Sequence, residues 1–401
     1  MADLKSVLPF FTVTVLLIFC YAVTSISATF TSDGLHNFQS SHFSIIDEIH
    51  DDADLSISTS STIETIYQFG DSISDTGNFI REHPNSNFAN LPYGESFFHQ
   101  PTGRCSNGLL IIDYISKFYN LPFLDPYLNK HGNFSHGVNF AVAGATALNA
   151  STLAMKHSLS CTTNSSLLVQ LDWFKTHLNS ICSDASECKK KLGKALIMMG
   201  EIGGNDYNWA FFQGKPIKEI YKLVPEVIHV VKYVIKEVIS LGATRVIVPG
   251  NFPIGCMAVY LEAFKTNDAR MYDELQCLKS LNNFAEFQND RIQEAIGEIQ
   301  TDHPDVSIQY ADYFSALKEI LQHATSFGFD KDIMQTPCCG LSNHEAHLNS
   351  GIECGRKGTI VCKDPYKHLS WDGMHLTQHG YQIMAELLIK RINTFGISNT
   401  V

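Results

Sequence analysis

Thr65-Ile66-Tyr67-Gln68-Phe69-Gly70-Asp71-Ser72 reads as a short apolar strand that stops at a glycine and delivers a serine just past its end. The same pattern recurs along the chain. Gly137 to Val142 runs toward Gly144, Ala195 to Met199 stops at Gly200, Arg245 to Val248 is closed by Pro249-Gly250, and Val306 to Tyr310 by Asp312. Brief apolar runs bounded by turn residues suit strands buried on both faces of a parallel sheet. Helical periodicity fills the intervals. Leu223, Val227, Val231, Val234 and Val238 recur every three or four residues and so share one face. Helices are also expected from about Asp273 to Ile299 and from about Gln378 to Ile392. Strands alternating with helices predict one α/β domain with a mainly parallel sheet, spanning residues 63–396.

The chain outside that domain has a different character. Lys5 lies in a short polar start, an apolar run extends from about Val7 to Val23, and Ser25-Ile26-Ser27 offers small residues for cleavage. Residues 1–27 therefore read as a signal peptide. The run is short, carries Pro9 and lacks a basic stop-transfer flank, which argues against a membrane anchor. Residues 28–62 are rich in Ser, Thr and Asp with no sustained periodicity, and are expected to form a flexible leader or pro-segment. The expected destination is secretion, to the extracellular space or cell wall, with the vacuole as the alternative.

The 401 residues carry 44% hydrophobic side chains, enough for a substantial core, and a formal net charge of −12. No basic cluster is present, so nucleic acid is not an expected partner. Of eleven cysteines, Cys20 would leave with the signal peptide. The even remainder in an exported chain suggests disulfides, with buried free thiols as the alternative. Asn133, Asn149 and Asn164 head glycosylation sequons that fit a secretory route. Paired CxxC or HExxH spacings are absent, and His344 and His347 lie in a polar stretch expected to be an exposed loop, so no metal site is expected.

Ser72, Gly144 and Asn205 each fall just beyond the C-terminal end of a different expected strand. That rim is where open α/β sheets bind ligands. A serine hydroxyl becomes a nucleophile only when a base takes its proton. His375 is the candidate base, because an imidazole can accept that proton and return it to a leaving alkoxide. Asp372, three residues earlier, can orient the ring and stabilise its charged form. A developing oxyanion needs fixed donors. The Gly144 N–H is unobstructed by a side chain, Asn205 offers an amide, and the Ser72 N–H adds a third donor. Asp206 is expected to shape its loop. Each feature alone is compatible with an ordinary turn, but their joint placement points to attack on an ester carbonyl. Asp75 and Asn78 make the serine turn more polar than a connection requires.

Four ordered blocks carry a resemblance. Phe-Gly-Asp-Ser-x-x-Asp-x-Gly-Asn at 69–78, Asn-Phe-Ala-x-x-Gly-Ala at 139–145, Gly-x-Asn-Asp at 203–206 and Trp-Asp-Gly-x-His at 371–375 resemble those of plant GDSL esterase/lipases, a branch of the SGNH hydrolase superfamily. The likeness extends from about Ile66 to Leu388. It implies Ser72 as nucleophile, His375 as base, Asp372 as its orienting acid, and Gly144 and Asn205 as oxyanion donors. It also implies a flavodoxin-like three-layer α/β/α sandwich and no metal or organic cofactor. Two blocks depart from the family pattern: Gly255-Cys256-Met257-Ala258 replaces Gly-Cys-x-Pro, and Leu109 follows Ser106-Asn107-Gly108 where an arginine is usual. Both bear on the substrate.

The expected activity is hydrolysis of a small-molecule ester through an acyl-serine intermediate. The alternative is an acyltransferase that moves an acyl group, hydroxycinnamoyl included, to an alcohol acceptor such as a sugar or sugar acid. Both share every catalytic part and differ in water access during the second half-reaction. A catalytically dead binding protein is a third reading, which the intact set of site residues argues against.

Overall fold

A computed structural model describes residues 63–340 and 353–396. The expected signal peptide, the leader and the His344–His347 stretch lie outside the described residues. The strands are β1 (Thr65–Gln68), β2 (Gly137–Asn139), β3 (Ala195–Met198), β4 (Arg245–Pro249) and β5 (Ser307–Ala311). The principal helices are α1 (Ile111–Phe118), α2 (Leu167–Ile181), α3 (Ala185–Leu192), α4 (Gly204–Phe212), α5 (Ile217–Ser240), α6 (Ala258–Ala263), α7 (Lys279–Asp302), α8 (Tyr313–Gln322) and α9 (Gln378–Gly396).

All strand pairs are parallel, in the order β2-β1-β3-β4-β5. Ile66 of β1 lies opposite Gly137 on one side and Leu196 on the other. This is the flavodoxin-like order. The chain steps outward from β1 to β2, then returns past β1 to β3, β4 and β5. Right-handed crossovers put the helices of these two directions on opposite faces of the sheet. Accordingly α5 packs against both α2 and α7, while α9 packs against both α1 and α8. The result is a three-layer α/β/α sandwich.

Burial explains why the strands sit at the centre. Ile66, Phe69, Val138, Phe140, Ile197 and Val248 are almost wholly inaccessible. The expected stripe of α5, Leu223 through Val238, is buried along its length. Each such aliphatic side chain contributes about 1.5–3 kcal/mol when taken out of water.

Two boundaries differ from the sequence expectation for identifiable reasons. The apolar run after Gly137 leaves the strand at Asn139, whose side chain accepts from Ala141 N–H (2.9 Å) and donates to the Ser74 carbonyl (2.6 Å). α7 begins at Lys279 instead of near Asp273. The Asp273 carboxylate accepts from Leu275 N–H (3.0 Å) and Cys277 N–H (2.8 Å), and Cys277 is bonded to Cys256, so this stretch is a closed turn.

Eight cysteines form four disulfides: Cys182–Cys188, Cys256–Cys277, Cys338–Cys362 and Cys339–Cys354. Cys105 and Cys161 are free, so the disulfide expectation holds for eight of the ten cysteines left after Cys20. Among the described residues no helix is long and apolar enough to cross a membrane.

Candidate active site

The connections that leave β1 and β3 cross opposite faces of the sheet, which opens a crevice at the carboxyl ends of these neighbouring strands. The loops after β1 and β2 carry Ser72 and Gly144 into that crevice, and the first turn of α4, after β3, carries Asn205 there. The loop before α9 brings the fourth and fifth site residues, about three hundred positions later in sequence.

Ser72 stands on a tight turn in which Ser74 and Asp75 N–H groups both donate to the Asp71 carbonyl (3.1 and 3.0 Å). The turn is held by side chains, which explains the polarity of its motif. The Asp75 carboxylate accepts from the N–H groups of Gly77 (2.7 Å), Asn78 (2.6 Å), Phe79 (3.0 Å) and Ala143 (2.9 Å). The Asn78 amide donates to the carbonyls of Asn139 (2.8 Å) and Ala141 (2.9 Å). Asp75 and Asn78 thus bind the serine turn to the loop that carries Gly144. On the other side Gln170 of α2 grips Gly70 twice, accepting from its N–H (2.9 Å) and donating to its carbonyl (2.8 Å). Gly70 itself has φ +136°, and a Cβ there would lie 3.0 Å from the Glu201 carbonyl oxygen.

The Ser72 hydroxyl donates to His375 Nε2 at 2.8 Å, and His375 Nδ1–H donates to Asp372 Oδ2 at 2.7 Å. The carboxylate at Nδ1 fixes the tautomer that leaves Nε2 bare as the acceptor. Both side chains of the Asp372–His375 pair are less than one-tenth exposed. Asp372 Oδ1 also accepts from the N–H groups of Met374 (3.0 Å) and His375 (2.8 Å), and the Tyr93 hydroxyl donates to Oδ2 (2.8 Å). Burial would raise the Asp372 pKa, but the His375 charge, its hydrogen bonds and the Tyr93 hydroxyl outweigh it and hold the pKa at about 2. The Phe88 ring meets the His375 imidazole edge-on at 5.8 Å.

The loop bearing this pair is braced from behind. Cys338 and Cys339 N–H groups donate to the carbonyls of Ser370 (3.0 Å) and Trp371 (2.7 Å), and each cysteine is disulfide-bonded. Trp371 is fully buried against Tyr93 and these cysteines. Asn107 caps α9 by accepting from Gln378 N–H at 2.6 Å.

Two of the three expected oxyanion donors are unoccupied. Neither the Ser72 nor the Gly144 N–H has a hydrogen-bond partner among the described residues. Gly144 has φ +80°, and a Cβ there would sit 2.3 Å from Thr162 Oγ1, so only glycine fits. Asn205 is different. Its amide nitrogen donates to Asp71 Oδ2 (2.9 Å) and to the Ala145 carbonyl (3.0 Å), which takes both of its hydrogens. Asp206 shapes its neighbourhood as expected, accepting from Ala147 (2.8 Å) and Leu148 (3.0 Å) N–H groups. No group of three or more His, Cys, Asp or Glu among the described residues is arranged to hold a metal ion.

Of the two departing blocks, Cys256, Met257 and Ala258 line a mainly apolar hollow that also touches Met374 and His375. Leu109 is buried, with its N–H donating to Gln378 Oε1 (3.2 Å). Tyr93, Phe88 and Gln170 carry no signal in spacing or pattern, because each meets its partner only through the fold; Asn107 lies in the quoted Ser106-Asn107-Gly108 block, but its contact with α9 is not legible there.

The model of the family "GDSL-like Lipase/Acylhydrolase" matches residues 66–388. A GDSL esterase/lipase of Arabidopsis thaliana is 44% identical over 337 residues, covering 82% of this chain and 82% of its own. A second from the same plant is 44% identical over 333 residues, covering 80% and 83%. Acetylajmalan esterase 1 of Rauvolfia serpentina is 44% identical over 334 residues, covering 82% and 87%.

Proposed function

The chain belongs to the GDSL-like lipase/acylhydrolase family, and on that premise we propose that it is a secreted esterase cleaving small carboxylic esters through an acyl-Ser72 intermediate. It is a GDSL-type carboxylic ester hydrolase. The observation that carries the mechanism is the continuous contact from Ser72 Oγ through His375 to Asp372, beside two unpartnered N–H groups.

In this reading His375 Nε2 takes the Ser72 proton as Oγ attacks the ester carbonyl, forming the C–O bond of a tetrahedral intermediate. Asp372 holds the ring and stabilises the imidazolium. The intermediate's oxyanion enters between the Ser72 and Gly144 N–H groups. Asn205 becomes the third donor by exchanging its bond to the neutral Ala145 carbonyl for a stronger, charge-assisted one. Imidazolium then protonates the leaving alkoxide as the C–O bond to the alcohol breaks. Water, activated by the same imidazole, releases the acid and restores Ser72.

Acetylajmalan esterase 1 is named for an acetyl ester, which supports a short acyl group over the long chains of a triglyceride. The signal-like N-terminus supports secretion, and the exposed Asn133 and Asn164 suit glycosylation better than the half-buried Asn149, whose side chain accepts from Ser166 (2.5 Å).

The test offers the purified protein a panel of esters with and without candidate alcohol acceptors, beside Ser72→Ala. Free acid as product, labelling by a serine-reactive fluorophosphonate, and a loss of several orders of magnitude in Ser72→Ala are expected. Near-normal turnover in a folded Ser72→Ala protein would overturn the mechanism. Transferred ester as the main product would assign acyl transfer instead.

A further inference from the structure

Two carboxyl groups lie buried behind the serine turn, and the mechanism above uses neither. Asp71 immediately precedes Ser72, and Glu201 sits in the loop after β3; they are 2% and 4% exposed. Their side chains are hydrogen-bonded to each other. Two carboxylates cannot form that bond, so one proton lies between them.

The surroundings decide which group carries the proton. Asp71 Oδ1 accepts from Ile73 N–H (3.0 Å), Oδ2 accepts from the Asn205 amide (2.9 Å), and a protonated His375 favours its charge. Glu201 accepts one N–H, that of Gly204 (3.2 Å). The negative charge therefore rests on Asp71 and the proton on Glu201. Burial raises both groups above the usual carboxyl value, and the charge of Asp71 raises Glu201 further, which agrees with the proton resting on Glu201.

The loops that carry the pair interlock. Asp71 N–H donates to the Glu201 carbonyl (3.2 Å), and a Cβ on Gly204 would fall 2.8 Å from Glu201 Oε2. A second chain of hydrogen bonds arrives from α6. The Tyr260 hydroxyl donates to Asn208 Oδ1, and Asn208 donates to Asn205 Oδ1 (3.3 Å). With its oxygen held by Asn208, the Asn205 amide must present its nitrogen to Asp71. Donors from both directions thus end on one carboxylate, next to the serine.

We propose that Glu201 is a positioning residue of this esterase: as a neutral acid it donates to Asp71, and the Glu201–Asp71–Asn205 chain holds the serine turn and the Asn205 amide where the oxyanion forms. This rests on the reading of Ser72 as nucleophile. Glu201 acts only through Asp71, so its loss affects the transition state more than substrate binding.

The test compares full-length Glu201→Gln, Glu201→Met and Ser72→Ala on p-nitrophenyl acetate, with active sites counted by fluorophosphonate titration so that kcat is expressed per competent site. Glutamine can donate to Asp71 and accept from Gly204, so kcat within about threefold of wild type is expected. Methionine matches the length but offers no donor, and kcat per site should fall by about tenfold or more while KM changes little. A merely structural role would lower the count of competent sites and leave kcat per site unchanged. Full kcat per site in Glu201→Met, or a Glu201→Gln protein as slow as Glu201→Met, would overturn the inference. The glutamine variant decides by itself if methionine is not tolerated. Rapid turnover in Ser72→Ala would instead condemn the underlying reading of the site, a distinct outcome.

Discussion

Ser72 Oγ, His375 and Asp372 meet within hydrogen-bond distance, so single side chains decide whether a proton can move between them. Asp372, held at about 2, stays ionised across the pH range of ordinary assays. In the proposed mechanism the neutral imidazole of His375 accepts the serine proton and Asp372 faces the imidazolium that results. Asp372→Asn removes the negative charge that stabilises the imidazolium formed as the serine proton moves. Turnover should fall by about 10²–10⁴, because the asparagine no longer enforces the tautomer. The check is kcat/KM for both proteins with folding monitored separately; an unchanged kcat/KM in the folded variant counts against the assigned pair. Asn205→Ala should lower kcat by about 10²–10³ with a smaller effect on KM, since its amide bonds the oxyanion more strongly than the substrate carbonyl. A change confined to KM would make Asn205 a substrate-binding residue.

Loops, more than strands, carry the specific chemistry of this fold, and they are held rigid by buried polar side chains. Asp75 satisfies four backbone N–H groups from two loops. Asp75→Ala would leave those donors without a partner, at about 1–3 kcal/mol for a buried group. A loss of at least about 3 kcal/mol in denaturant unfolding is expected, with activity falling alongside because Ala143 adjoins Gly144. A loss below about 1 kcal/mol would show that water replaces the carboxylate. At this scale the strands were legible from Thr65 onward, because apolar runs ending at glycine admit few other structures. In α2, Leu167, Leu171, Phe174 and Leu178 keep helical spacing, but no local pattern shows that Gln170 and His177 share the buried face with them.

Across the whole molecule, the segment after β5 must fold back across the sheet to place His375 beside Ser72. Disulfides Cys338–Cys362 and Cys339–Cys354 hold that return in place. Replacing Cys339 and Cys354 together by serine should cost about 2–5 kcal/mol of stability. Turnover should decline with it, because Cys339 N–H anchors the Trp371 carbonyl next to Asp372. Thermal unfolding and kcat measured on the same preparation test this. Full activity in the destabilised variant would show that the loop keeps its shape without the bridge.

The sequence by itself determined the strand identities, the parallel α/β class and the rim positions of Ser72, Gly144 and Asn205. Those properties follow from local patterns: apolar runs, the turns that end them, and motifs in fixed order. It also placed Asp372 and His375 on one turn, where three residues of spacing suffice. Only the tertiary structure decided that this turn reaches Ser72, that Tyr93 steadies Asp372 from 279 positions away, and that the Asn205 amide is already held by Asp71 and Ala145. It alone divided the cysteines into four bridges and two free thiols. Contacts of that kind depend on the path of the chain between distant segments, and no local pattern encodes which buried donor will meet which buried acceptor.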